Sequence, residues 1–262
     1  MATTPTTPTT SSAAILDALR RSTVRTHTYR ALAGHDESGA GLRRFRAELK
    51  TPVDVPPEVA ARHAWTSQHS YRHVTPDEVE SLLSDISPLL AECALGISPG
   101  EGHHGVAVTL AFLEGSVLNP FRLAGADLHD VLGTIDEAHA RLFAAFEQRG
   151  DLWLPDAHLG LEADAGTAVL LTTVASASSL DEVAPGLETA LVSQVLADVS
   201  DGAACVLASV GKSGDDSDDR ELDEFWAGLA FRAWDGEIWV ADPNSAAFHE
   251  PASRLADLLA GR

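Results

Sequence analysis

The chain has 262 residues, 45% of them hydrophobic, and a formal net charge of −21. That is enough apolar material for a real core, in one large domain or in one domain with a smaller companion. The charge argues against nonspecific binding to nucleic acid and to an anionic membrane surface, since both need basic surface.

Residues 1–12 are rich in Thr, Ser and Pro and read as a disordered tail. Residues 13–100 read as a mostly helical N-terminal region. A short helix is expected over 13–26, a loop over 35–41, and an extended connector over 51–57, where Pro52, Pro56 and Pro57 fall. Thr75-Pro76-Asp77-Glu78 is a helix start: Thr75 suits the cap, Pro76 the first helical position, and Glu78 completes a capping box. Val79, Leu82, Leu83, Ile86, Leu89 and Leu90 then form the apolar stripe of an amphipathic helix.

Residues 98–104 predict a polar, glycine-rich turn, and 106–113 a buried strand. Glu114-Gly115 predicts a turn into a second strand ending near Leu123. One or two helices are expected over 127–148, with Ile135, Leu142, Phe143 and Phe146 on one face.

The C-terminal part alternates. Residues 167–174 are β-rich, 185–199 helical, 203–210 β-like and 221–229 helical. Residues 231–234 and 237–241 flank Asp235-Gly236 as a hairpin. Continuous apolar strands separated by helices predict a sheet buried on both faces. Cys93 and Cys205 belong to no metal or redox motif and read as buried thiols. No apolar run is long enough to span a membrane and no secretory segment is recognisable, so a cytoplasmic protein is expected.

Strand, helix, strand, helix, hairpin is the order of the second half of a GNAT acyltransferase domain, and residue detail strengthens the likeness. Leu229-Ala230-Phe231-Arg232, after an aromatic-bearing helix, resembles the family's Leu-Gly-Phe-Arg. Trp239-Val240-Ala241-Asp242-Pro243 resembles its closing strand, and Leu170-Leu171-Thr172-Thr173-Val174 its central splayed strand. The resemblance runs from about Gly105 to the end, so residues 101–262 are expected to form a GNAT-like α/β domain. The implied fold is α/β, with a mixed, splayed sheet flanked by helices.

The resemblance implies acyl-CoA as cofactor. In the family the loop after the central strand reads Arg/Gln-Gly-x-Gly-x-Gly/Ala and opens a helix whose backbone N–H groups hold the pyrophosphate. Its counterpart here is Asp181-Glu182-Val183-Ala184-Pro185-Gly186, in which only Gly186 keeps a glycine. The degenerate cofactor contacts implied are Val174, Val183, Gly186 and Leu187. Two carboxylates facing a pyrophosphate cost on the order of 1–4 kcal/mol at a screened surface, and about 1.4 kcal/mol already weakens binding tenfold. Asp181 and Glu182 read as helix caps. The family's tyrosine acid has no counterpart, because Tyr29 and Tyr71 both precede the resembling region.

Weak candidates for a base are Glu101, His104 and Glu114, near the expected first hairpin. The sequence therefore predicts a GNAT-like protein with weakened or lost acyl transfer that binds a small molecule or a protein partner. No cofactor is assured. The alternative is an active N-acyltransferase moving an acetyl group from acetyl-CoA to an amine.

Other patterns carry less. Gly211-Lys212-Ser213 lacks the glycine a P-loop needs, and the run Asp215–Asp219 lacks the EF-hand pattern and reads as a solvated loop. No metal site is expected. His69 and His73 stand one helical turn apart without the zincin glutamate, and His103-His104 lacks the aspartate of a condensation motif. His129, His139 and His158 read as surface or hydrogen-bonded histidines. Ser176, Ser178 and Ser179 lack a nucleophile elbow.

Overall fold

The computed structural model describes residues 10–29, 42–63, 76–99, 105–118, 137–141, 167–209, 216–235 and 238–260. Among these residues α1 (Thr10–Leu19) leads into β1 (Thr23–Tyr29) and β2 (Leu42–Asp54). Next come α2 (Pro57–Arg62), α3 (Pro76–Ile86), α4 (Pro88–Cys93), β3 (Gly96–Pro99) and β4 (Gly105–Leu118). The C-terminal part holds β5 (Thr167–Ser176), α5 (Leu180–Val183), α6 (Leu187–Val199), β6 (Ala203–Ser209) and α7 (Asp216–Gly228). It closes with β7 (Arg232–Asp235), β8 (Ile238–Ala241) and α8 (Ala246–Leu259).

The fold is α/β: a mixed, open, 8-stranded sheet in the order β1-β2-β4-β5-β6-β8-β7, with β3 beside β4 and helices flanking it. Among the described strands β5 and β6 are the parallel pair, and their pairing runs from Thr167↔Ala203 to Leu171↔Ala208. β5 continues to Ser176 against β4. The expected order of strand, helix, strand, helix and hairpin is present. The N-terminal region holds α1 to α4, and to that helical expectation the structure adds β1, β2 and β3. β2 pairs with β4 from Leu42↔Leu118 to Asp54↔Gly105, which ties the N-terminal region into the same sheet.

Phe45, Ala47, Leu49, Thr51 and Val53 of β2 are buried, while Arg46, Glu48 and Lys50 between them are not fully covered. This two-residue period is what a half-buried antiparallel strand requires. α6 packs over β1, β2, β4 and β5. Leu187, Leu191, Val195 and Leu196 join Leu82, Leu83, Val169, Leu171 and Val206 in one core.

Further expectations need correction: the helix expected over 13–26 ends at Leu19, and Thr23–Thr26 lie in β1. Glu114-Gly115 is not a turn; β4 runs straight through it. The register against β5 shifts there, and a Cβ on Gly115 would sit 2.0 Å from the Leu170 carbonyl oxygen. The glycine serves backbone approach at a bulge. The Asp215–Asp219 run is not wholly loop: Asp216, Ser217, Asp218 and Asp219 open α7, where acids suit the positive end of the helix dipole. Thr10–Ser12, expected in the tail, form the first turn of α1. The expected capping by Thr75 and the face of Ile135, Leu142, Phe143 and Phe146 lie outside the described residues.

α7 ends in a Schellman motif. Phe231 N–H donates to the Trp226 carbonyl at 2.9 Å, Ala230 N–H to that of Ala227 at 3.0 Å, and Ala230 takes φ 61°. The Phe231 and Trp226 rings meet edge-on at 4.7 Å, the apolar contact that accompanies this cap. A left-handed backbone favours glycine, and here an alanine bears it.

Candidate functional site

The β5–α6 connection is the first place to look. α5 is one short turn in which Leu180 and Val183 face the core, and Gly186 then takes φ 81° to redirect the chain into α6. The first N–H groups of a helix lack intrahelical partners, so they are natural anion donors. Here the first two are engaged. Leu187 N–H donates to the Ala184 carbonyl at 3.0 Å, and Glu188 N–H donates to Asp181 Oδ1 at 2.9 Å. Glu188 in turn accepts from Ser176 Oγ at 2.5 Å. Asp181 and Glu182 are exposed at this end of the helix. The protein's own carboxylate thus sits where a phosphate oxygen would bind.

Of the four expected cofactor contacts, Val183 and Leu187 are buried in the core and Val174 packs against it. Gly186 alone is exposed, and a Cβ there would meet nothing within 4 Å. The side chains of Val174, Val183 and Leu187 are thus turned toward the core. Phe225 and Trp226 pack edge-on at 5.6 Å. Trp226 is 1% exposed, and among the described residues its indole N–H has no hydrogen-bond partner.

The second place is the sheet face away from α6. In an antiparallel pair, opposed residues share a face. Arg46 stands opposite Glu114, Glu48 opposite Phe112, and Arg44 opposite Ser116. These residues form a polar row. Lys50 Nζ lies 3.0 Å from Glu48 Oε2, Arg46 Nε 2.9 Å from Glu48 Oε1, and Arg46 Nη1 2.5 Å from Glu114 Oε1. Arg46 also covers the Phe112 ring at 4.2 Å, a cation–π contact, and Lys50 donates to Ser98 Oγ at 3.2 Å. Burial works against the charge on Arg46, but hydrogen bonds and attraction from Glu48 and Glu114 outweigh it and hold Arg46 above its ordinary value. Burial alone would raise Glu48. Its hydrogen bonds to Lys50 and Arg46, with their charges, outweigh that and hold its carboxyl below the usual range.

Glu114, a candidate base, is therefore ion-paired to Arg46. Glu101 and His104 lie outside the described residues, as do His69, His73, His103, His129 and His158. His139 is fully buried on a helical stretch at 137–141, with Nε2 2.9 Å from Ser116 Oγ. Arg141 Nε on the same stretch donates to Ser209 Oγ at 3.1 Å, so this stretch docks on the polar face. Sequence reasoning missed this pairing. Ser116 and Ser209 are polar residues inside apolar strands, and that was the available signal.

Elsewhere His63 Nε2 lies 2.8 Å from Asp85 Oδ2, joining α2 to α3, and the contact holds Asp85 below its usual range. Burial pushes the Cys93 thiol up, despite a 3.4 Å contact with Ser179 Oγ, as expected of an inert thiol. Among the described residues no group of three or more His, Cys, Asp or Glu is placed to hold a metal, and no helix is long and apolar enough to cross a membrane.

The chain was compared with family models, curated proteins and solved structures, and none of them matches it significantly.

Proposed function

We propose that this chain is a divergent GNAT-like protein in which acyl-CoA-dependent transfer is weakened or lost, and which binds a small molecule or a protein partner. The observation that carries the reading is the bond from Glu188 N–H to Asp181 Oδ1 at the start of α6. A pyrophosphate at this helix end would have to displace a carboxylate of its own sign and then remain beside it. The order β5, α6, β6, α7, β7–β8 supports the family resemblance. So does the left-handed φ of Ala230, the position at which the family's Leu-Gly-Phe-Arg places glycine.

Calorimetry with acetyl-CoA tests this reading. Wild type is expected to give no binding heat at micromolar ligand, and Asp181→Arg to gain affinity. Micromolar binding that Asp181→Arg leaves unimproved contradicts it.

One observation favours the second reading, an active N-acyltransferase using acetyl-CoA and an amine. Among the described residues β5 runs from Thr172 to Ser176 beyond its last pairing with β6, so the two strands part at the place where the family splays them. Acetyl transfer to a small polyamine, followed by release of free thiol, decides between the two readings.

A further inference from the structure

We draw no further inference here: the strongest candidate, the pair of buried indoles Trp226 on α7 and Trp239 on β8, whose N–H groups have no hydrogen-bond partner among the described residues, lies inside the apolar core, and nothing among the described residues shows what they would bind.

Discussion

On β2, Phe45, Ala47, Leu49 and Val53 lie in the core with the helices, while Arg46, Glu48 and Lys50, one residue out of step, lie on the other face and hold one another by charge. The contrast is sharpest where β2 meets β4. The α6 side is held by apolar area, which is large, nondirectional and tolerant of exchange. The opposite side also buries apolar residues, Leu170 and Leu207 among them, but it adds particular pairs, Arg46–Glu114, Ser116–His139 and Arg141–Ser209, each needing its own partner at its own distance. Shape errors should therefore break the first face, and the loss of one partner the second.

The largest effects are expected where the apolar side and the backbone are most crowded. Trp226→Ala removes a 1%-exposed ring from the core, and thermal or urea unfolding should register a loss of about 4 kcal/mol. Trp226→Phe should cost clearly less, because the indole N–H it removes has no partner among the described residues. Gly115→Ala drives a methyl into the Leu170 carbonyl, and a loss of about 3 kcal/mol is expected from the same measurement. A neutral result there would mean that the β4–β5 bulge relaxes freely.

On the polar side Ser116→Ala takes a partner from buried His139, and a loss of about 1–2 kcal/mol is expected. Ala230→Gly should stabilise by about 1 kcal/mol, since glycine bears φ 61° at little steric cost. The smallest effect concerns Glu48. Its folded pKa lies below its unfolded value, so its contribution to stability is complete above the unfolded value and is lost as pH falls through the folded one. The stability of wild type should therefore fall more than that of Glu48→Gln as pH drops below about 4. Parallel pH profiles would remove the ion-pair row from the account.

Much of the C-terminal part was legible in the sequence, because its strands are short apolar runs and its helices carry clear stripes. β5, β6 and the β7–β8 hairpin fall within a few residues of their expected places. α3 was legible for the same reason, and Leu82 and Leu83 are both fully buried. β2 was hidden by its charges: Arg43, Arg44, Arg46, Glu48 and Lys50 mask an alternation that Phe45, Ala47, Leu49 and Val53 keep. β1 is similar, with Thr and Val at strand-favouring positions. At the β5–α6 loop the sequence supplied the carboxylates and the capping role of Asp181. It could not supply the bond to Glu188 N–H, because a span of seven residues closes only through the turn at Gly186. The Ser116–His139 pair joins residues 23 apart and needed the sheet register to be visible.

Two-dimensional ¹H–¹⁵N NMR of the Leu187 and Glu188 amides during titration with acetyl-CoA tests the central claim most directly. The account predicts that neither resonance moves in wild type at micromolar ligand, and that the Glu188 amide moves when Asp181 becomes Ala. Saturable shifts of both amides in wild type would mean that coenzyme A occupies the start of α6 despite Asp181, and would contradict it.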